Sequence, residues 1–252
     1  MYIVTGGGSG IGKSLAISLA ARLEDVLIVG RDVEKLSLTA SYSSHINYVQ
    51  ADLGMSAERE KVQNYLKDIK NIKGLINNAG TVLPIVSIAD ISEEDWHATM
   101  RVNLDAPLFL IKLLRNKLVN GRVLNISTKA AHFPIAAWSA YCSSKAALDM
   151  LTRCCQLEMT DIAFGTVMPG IIDTDMQQQI RNSRGMQKEK FAFFHELKNE
   201  KKLLSSDTVA QFLCWLLLDI DSKRFSSQEW DIYDKNYQHE WLVSPYTVPD
   251  ID

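Results

Sequence analysis

The sequence begins Met1-Tyr-Ile-Val-Thr-Gly-Gly-Gly-Ser-Gly-Ile-Gly12, an apolar strand that runs into a glycine cluster, and residues 13–23 then follow a helical pattern. At a strand-to-helix junction of this kind, backbone N–H groups and the helix N-terminus can bind a pyrophosphate. The glycine spacing is Thr-Gly-x-x-x-Gly-Ile-Gly, with Gly6, Gly10 and Gly12 in the motif positions, rather than Gly-x-Gly-x-x-Gly. A flexible surface turn does not need such a cluster, so the stretch predicts a dinucleotide-binding fold.

Strand-like and helix-like segments alternate along the rest of the sequence, which is typical of a parallel sheet with helices on both faces. The predicted strands are 1–5, 26–29, 46–50, 73–76, 121–127 and 230–233. The predicted helices are 13–23, 33–40, 56–69, 92–118, 138–157 and 206–218, and Pro107 predicts a kink or a break in the fourth. We therefore predict an α/β fold with a doubly wound, Rossmann-like parallel sheet, built as a single domain over residues 1–252.

Composition excludes several classes of function. A net charge of −3 and a pI near 6.0 argue against nucleic acid or an anionic membrane as partner. No apolar run reaches the ~18 residues of a membrane span, and the opening strand leaves no room for a signal peptide. The cysteines (Cys142, Cys154, Cys155 and Cys214) lie in helix-like segments, and the five histidines lack ligand spacing. We expect a cytoplasmic protein with reduced thiols and no metal site.

Residues 138–151 predict a helix on which Tyr141 and Lys145, four residues apart, project from one face. A phenol titrates near ~10, and a cation within ~4–6 Å lowers that pKa by ~1–3 units. Such a pair suits proton transfer at neutral pH. Taken alone, it is also compatible with a surface helix that carries one Tyr–Lys contact, because short motifs occur by chance.

The second predicted strand ends at Gly30-Arg31-Asp32, where the cofactor type is usually selected. An acidic residue here would bind the adenosine ribose of NAD, whereas an arginine would bind the 2′-phosphate of NADP. Asp32 precedes the predicted helix 33–40 and suits an N-cap. Arg31 therefore favours NADP.

In its motifs and their order, the sequence resembles the short-chain dehydrogenase/reductase family. The matching segments are Thr5–Gly12, Asn77–Gly80, Asn103, Ser127/Thr128, Tyr141-x-x-x-Lys145 and Pro169-Gly170. The resemblance implies a doubly wound fold, a nicotinamide cofactor and a catalytic set of Asn103, Thr128, Tyr141 and Lys145. The family normally has serine thirteen residues before the tyrosine, where this sequence has Thr128. Because neighbours on a strand point to opposite faces, Ser127 and Thr128 cannot both serve, and we expect Thr128.

The resemblance also implies a role for each residue. Tyr141 is expected to protonate the carbonyl oxygen of the substrate, and Thr128 to hydrogen-bond to the same oxygen. Lys145 is expected to lower the pKa of the phenol and hold the nicotinamide ribose, while Asn103 supports the water that connects Lys145 to solvent. The expected cofactor-binding residues are Gly6, Gly8, Ser9, Gly10, Ile11, Gly12, Arg31, Asp52, Leu53, Asn78, Ala79, Gly80, Tyr141, Lys145, Pro169, Gly170, Ile172 and Thr174.

A narrower resemblance covers the second half of the sequence. Residues 138–142, 169–178, 196–198 and 225–235 are similar to the sepiapterin reductase group and to related diketone (benzil-type) reductases. It implies an NADPH-dependent carbonyl reductase for a pterin side chain or a small aromatic diketone, with Thr128, Trp138 and Asp231 at the substrate. A carboxylate at Asp231 could accept two parallel N–H groups of a pterin ring, or it could end a strand and pair with a nearby cation.

Two other classes of function stay open at this point. An oxoacyl or sugar-alcohol reductase would share the same motifs. A non-catalytic NADP-binding redox sensor would keep the glycine loop and could lose the Tyr–Lys pair, which is intact here.

Two segments have separate predictions. Residues 176–205 are either a solvated helical excursion or a mobile lid, for which Phe191, Phe193 and Phe194 would supply apolar cover. The lid carries the cations Arg181, Arg184, Lys188, Lys190, Lys198, Lys201 and Lys202. The tail 236–252 is expected to pack on the body or on a partner subunit. The family resemblance further implies a homodimer or homotetramer paired through the helices 92–118 and 138–157.

Overall fold

The computed structural model describes residues 1–183 and 185–251, and over that part it contains a seven-stranded parallel sheet in the order β3-β2-β1-β4-β5-β6-β7. The strands are β1 Tyr2–Thr5, β2 Val26–Gly30, β3 Ile46–Gln50, β4 Gly74–Asn77, β5 Arg122–Ile126, β6 Ala163–Met168 and β7 Glu229–Asp231. The order reverses beside β1 and β4, and ligands of doubly wound sheets bind at the carboxyl ends of strands at such a point. The predicted fold class is confirmed.

Helices cover both faces of the sheet. They are α1 Gly10–Ala21, α2 Val33–Ala40, α3 Ser56–Tyr65, α4 Glu93–Met100, α5 Ala106–Leu114, α6 Ser139–Glu158, α7 Asp175–Asn182, α8 Lys188–Asn199, α9 Ser206–Cys214, α10 Ser222–Phe225 and α11 Lys235–Trp241. The core has two main apolar layers, one on each face of the sheet. Leu19 and Phe212 are buried in the first, and Leu110 and Phe164 in the second.

The predicted helix 92–118 is interrupted, as Pro107 suggested. Ser92 caps α4 by accepting a hydrogen bond from the Asp95 N–H at 3.0 Å. A π-helical turn, Arg101–Asp105, separates α4 from α5, and Pro107 lies in the first turn of α5, where its missing N–H costs nothing. The irregular turn holds Asn103, and such π-turns often lie at functional sites.

The last predicted strand is displaced in the structure. Strand β7 spans Glu229–Asp231 rather than 230–233, because Tyr233 turns out of the sheet and its backbone N–H donates to the Asp231 side chain at 3.0 Å. The tail then returns to the body, where the Gln211 amide donates to the Tyr246 hydroxyl at 3.3 Å. Arg184 and Asp252, which belong to the predicted lid and tail, lie outside the described residues.

Two further expectations concern the cysteines and membrane-spanning helices. The four cysteines are free thiols. Across residues 1–183 and 185–251, none of the helices has both the length and the apolar character that crossing a membrane requires.

The glycine loop packs directly on the end of β4. Gly6 has a φ of +67°, a conformation that glycine adopts without strain. A Cβ on Gly12 would lie 2.4 Å from the Gly6 carbonyl oxygen. The Thr5 hydroxyl accepts hydrogen bonds from the backbone N–H groups of Asn78 and Ala79, at 3.0 and 2.9 Å. The loop and the Asn77–Gly80 segment therefore form one rigid unit.

This packing can be tested with two alanine substitutions. We expect Gly12→Ala to lower the free energy of unfolding by about 1–3 kcal/mol, because the new methyl group overlaps a backbone oxygen. The matched control is Gly30→Ala, whose Cβ would have its nearest contact at 3.5 Å. Urea unfolding of the cofactor-free protein measures both. Equal stabilities of the two variants would contradict the close packing of the loop.

Candidate active site

The Tyr141–Lys145 face of α6 lies against the carboxyl end of β5. Tyr141 is 8% exposed and Lys145 4% exposed. The Lys145 ammonium donates a hydrogen bond of 2.7 Å to the carbonyl oxygen of Ile126, the last residue of β5. The pair is therefore buried at the edge where a doubly wound sheet binds its ligands, which excludes the interpretation as a surface contact.

Asn103 connects three elements of the site. Its amide group donates to the Thr81 carbonyl oxygen at 2.9 Å and to the Ser144 hydroxyl on α6 at 3.0 Å. Its amide oxygen accepts a hydrogen bond from the Thr81 N–H at 2.8 Å. These three bonds use the whole side chain, so in the structure Asn103 fixes the π-turn to the loop after β4 and to α6.

The two hydroxyl residues after β5 face different neighbours. The Thr128 hydroxyl hydrogen-bonds with the phenol of Tyr141, and it also caps the following turn by accepting from the Ala130 N–H at 3.2 Å. Ser127 is buried and lies beside the Asp149 carboxylate. The geometry favours Thr128 over Ser127 as the hydroxyl that would share a substrate oxygen with Tyr141.

The pKa of Tyr141 shifts in the opposite direction to the one expected from the sequence. Burial raises the pKa of Tyr141 to about 12, and the hydrogen bond with Thr128 only partly opposes the rise. The Lys145 ammonium points at the Ile126 carbonyl instead of supplying a dominant charge to the phenol. Tyr141 is consequently protonated throughout the neutral range, which is the form that a general acid needs.

Burial acts on Lys145 in the sense expected for a cation. It lowers the pKa of the Lys145 ammonium to about 8, while the nearby Asp149 carboxylate opposes the change. The lysine is thus mostly charged at neutral pH and close to losing its charge.

The residues around the glycine loop fit a bound dinucleotide. A Cβ on Gly80 would lie 3.3 Å from the Asn103 amide oxygen and 3.7 Å from Lys145 Nζ, so a side chain at this position would crowd the buried lysine head. Thr174 lies beside Gly10, and its hydroxyl caps α7. These close approaches of backbone and small side chains leave the room that a cofactor beside Lys145 requires.

The other predicted cofactor residues lie along the same carboxyl edge. Arg31 is exposed at the end of β2, and among the described residues its guanidinium has no ion pair. Asp52 closes a turn after β3 by accepting from the Gly54 N–H at 3.0 Å. The remaining members of the set lie in the glycine loop, at the ends of β3 and β4 or after β6: Gly8, Ser9, Ile11, Leu53, Asn78, Ala79, Pro169, Gly170 and Ile172.

An apolar cluster surrounds the Tyr141 ring. Trp138 meets Tyr141 edge-on with 5.5 Å between ring centroids, and it stacks on Phe194 of α8 at 6.0 Å. The buried members of the cluster are Val82, Ile85, Ala130, Trp138, Tyr141, Ile180, Phe194 and Leu197. Phe193 packs partly against the cluster, whereas Phe191 is 37% exposed and contacts His195. Two of the three predicted lid phenylalanines thus reach the site.

Both oxygens of the Asp231 carboxylate already have partners. One oxygen lies 3.0 Å from Lys129 Nζ, and the other accepts the hydrogen bond from the Tyr233 N–H. Of the two interpretations that the sequence left open, the observed contacts match a carboxylate that ends a strand and pairs with a lysine.

A further polar cluster was not identified from the sequence. His132 Nε2 lies 2.9 Å from a Glu229 oxygen and 3.8 Å from an Asp149 oxygen. The spacing of the histidines in the sequence does not reveal this cluster, because its members meet only in the folded chain. The three residues are far apart in sequence and on different elements, but Asp149 was identifiable by its place one helical turn after Lys145.

Comparisons with known proteins place the chain in a family. The model of the short chain dehydrogenase family matches residues 1–185. A benzil reductase ((S)-benzoin forming) of Bacillus subtilis (strain 168) is 33% identical over 232 residues, which cover 86% of this chain and 93% of that protein. An L-xylulose reductase of Caenorhabditis elegans is 32% identical over 182 residues, covering 69% and 72%. The crystal structure of a short chain dehydrogenase/reductase from Saccharomyces cerevisiae has a TM-score of 0.88 at 28% identity, covering 96% of this chain and 99% of that chain.

The buried ammonium of Lys145 should leave a signature in protein stability. Below pH 8 its burial costs folding energy in full; between about pH 8 and 10.4 the unfolded chain binds more protons than the native protein, and stability rises with pH. Lys145→Met lacks this rise. We expect its stability relative to wild type to fall by about 1–3 kcal/mol from pH 7.5 to 10, as measured by urea unfolding. The control is Lys70→Met, which removes an exposed lysine. A similar dependence of stability on pH in the two variants would contradict the buried charge.

Proposed function

The chain belongs to the short-chain dehydrogenase family of oxidoreductases, which bind nicotinamide cofactors, and from that membership we propose that it is an NADPH-dependent carbonyl reductase for small aromatic diketones. The observation that carries the proposal is the burial of the Tyr141 phenol within an apolar cluster that contains Trp138 and Phe194. A neutral proton donor in apolar surroundings suits the reduction of a carbonyl group that bears apolar substituents.

The glycine loop and Lys145 would hold a nicotinamide cofactor, which would supply the hydride that the carbonyl carbon of the substrate accepts. Tyr141 transfers its phenolic proton to the carbonyl oxygen, where negative charge develops. Thr128 orients the phenol and donates a hydrogen bond to the same oxygen. Lys145 adds a positive charge beside the site, and Asn103 fixes the backbone around it. The phenol is then reprotonated from solvent.

The choice of NADPH rests on the end of β2. Arg31 is exposed there without an ion pair among the described residues, beside the loop that would hold the pyrophosphate. A free guanidinium can bind a 2′-phosphate in a bidentate manner, whereas the neighbouring Asp32 carboxylate caps α2 by accepting from the Lys35 N–H.

The substrate class rests on the cluster around Tyr141. Trp138 is 5% exposed, and its indole N–H has no hydrogen-bond partner among the described residues. Buried donors of this kind are usually satisfied, so a substrate oxygen is a suitable partner. A vicinal diketone offers two adjacent oxygens, one for Tyr141 and one for Trp138. The benzil reductase relative acts on a compound of this class.

The same contacts weaken the other candidate substrates. A pterin ring would have to displace Lys129 from Asp231. A sugar would place several hydroxyl groups against the apolar side chains of Val82, Ile85 and Phe194. These hydroxyl groups would lose their hydrogen bonds to water and gain none from the apolar side chains.

We also propose that α7 and α8 form a lid and that the protein pairs through α5 and α6. Phe194 on α8 and Ile180 on α7 cover the aromatic cluster, so opening of these helices would admit the substrate. Exposed apolar side chains lie on both of these helices: Phe109 on α5, and Met150 and Leu157 on α6. A second copy of the chain could bury them.

Catalysis by the Tyr141 phenol can be tested by removing its hydroxyl group. Tyr141→Phe should lower kcat at least ~10²-fold with an aromatic diketone and leave the affinity for NADPH nearly unchanged, because only transition-state stabilisation is lost. Tyr246→Phe removes a hydroxyl that bonds Gln211 in the tail and serves as the control. Turnover near the wild-type rate in Tyr141→Phe would refute the role.

Cofactor preference depends on the Arg31 side chain. A charge-assisted contact to phosphate is worth roughly 1.5–3 kcal/mol, so Arg31→Ala should weaken NADPH binding about 10-fold or more and change NADH binding little. Fluorescence titration of both cofactors measures this. Equal losses for NADPH and NADH would mean that Arg31 has a structural role.

The substrate class can be tested with benzil and sepiapterin, by following NADPH absorbance with wild type and with Asp231→Asn. We expect a higher kcat/KM for benzil in wild type, and Asp231→Asn should affect both substrates alike, since Asp231 is tied to Lys129. A loss of at least ~10-fold for sepiapterin alone would instead show that Asp231 anchors a pterin ring.

A further inference from the structure

Asp149 is a buried carboxylate that the proposed reaction does not use. It lies four residues after Lys145 on α6, so the two side chains project from the same face one turn apart. It is 4% exposed, and neither of its oxygens has a hydrogen bond of regular geometry among the described residues. A carboxylate in such a place is costly unless a charge nearby compensates it.

Charged and polar groups from four elements face Asp149. On α6 these are Lys145 and Arg153, and the end of β5 contributes the Ser127 hydroxyl. His132, just after a short helical turn, approaches one Asp149 oxygen at 3.8 Å, and Glu229 of β7 completes the cluster.

The contacts divide the two carboxylates between different cations. Glu229 is held by Arg153 at 2.6 Å and by His132 at 2.9 Å. Among the ion pairs of the described residues, Asp149 has the longer contact with His132. Its carboxylate is therefore available as the counter-charge for Lys145, one helical turn away on α6. The Lys145 ammonium needs a counter-charge, because its hydrogen bond within the described part of the chain goes to the neutral carbonyl group of Ile126.

We propose that Asp149 is a positioning residue that keeps the buried Lys145 in its charged form next to Tyr141. His132 and Arg153 pair with Glu229, so Glu229 does not serve as the counter-charge of Lys145. The effect of Asp149 on catalysis rests on the proposed carbonyl reduction, whereas its effect on the charge of Lys145 does not depend on that proposal. The cluster already balances its carboxylates with cations of the chain, so it does not require a metal ion.

The pKa shifts agree with this arrangement. Asp149 opposes the lowering of the Lys145 pKa to about 8. Burial raises the pKa of Asp149 itself to about 6, Glu229 adds to the rise, and Ser127, His132 and Lys145 oppose it. Both groups therefore carry their charges between about pH 6 and about pH 8, and above about pH 8 the lysine loses its proton.

The test compares Asp149→Asn with Glu229→Gln, since each removes one carboxylate from the cluster and keeps its shape. The titration of Lys145 is followed by NMR of ¹³Cε-labelled lysine in the cofactor-free protein, with the resonance assigned from Lys145→Met. Asp149→Asn should lower the titration midpoint by about 1 unit or more, and Glu229→Gln should leave it within about 0.3 units of wild type. Equal shifts in both variants, or no shift in Asp149→Asn, would overturn the proposal.

Activity gives a second readout that a purely structural role would not move. The alkaline limb of the pH profile of kcat/KM for benzil should move to lower pH in Asp149→Asn and stay in place in Glu229→Gln. If the NMR shift is found and benzil is not reduced, the counter-charge stands and the proposed substrate is wrong.

Metal binding is the competing account of the cluster. Zn²⁺ added to the cofactor-free wild type should not change its melting temperature more than that of His132→Asn. Stabilisation by Zn²⁺ that disappears in His132→Asn would show that the cluster binds an ion, and it would overturn the counter-charge role.

Discussion

The hydrogen bond from the Lys145 ammonium to the Ile126 carbonyl is the contact on which the site depends. It joins the helix that carries Tyr141 to the last residue of a central strand, at 2.7 Å. Because the ammonium is buried, the bond is protected from water, and the helix is fixed with its Tyr141–Lys145 face toward the carboxyl edge of the sheet. Asn103 and Thr5 secure the neighbouring loops to the same edge.

Burial has opposite consequences for the two members of the pair. It stabilises the neutral form of each, so Tyr141 retains its proton while Lys145 approaches the loss of its own. A reductase needs the first effect and must limit the second, which gives Asp149 its function as counter-charge. Burial of these ionisable groups therefore costs the fold stability, and the apolar layers on both faces of the sheet offset that cost.

The fold and the main motifs could be predicted from the sequence because each is a local pattern. The glycine loop and the Tyr141–Lys145 spacing each lie within one short stretch, and Pro107 marked the broken helix. The direction of the Tyr141 pKa shift could not be predicted, because it depends on burial by elements distant in sequence. The contact of Asp231 with Lys129 and the cluster around Asp149 likewise depend on which strands and turns become neighbours.

The ionisation of Tyr141 in the cofactor-free protein tests the central claim most directly. With ¹³Cζ-labelled tyrosine, and with Tyr141→Phe to assign the resonance, NMR can follow the phenol from pH 6 to pH 10. The account predicts a signal of the protonated phenol over the whole range, because burial raises the pKa to about 12. Titration with a midpoint below ~9 would show that a nearby cation outweighs burial, and it would contradict the account of Tyr141 as a neutral proton donor.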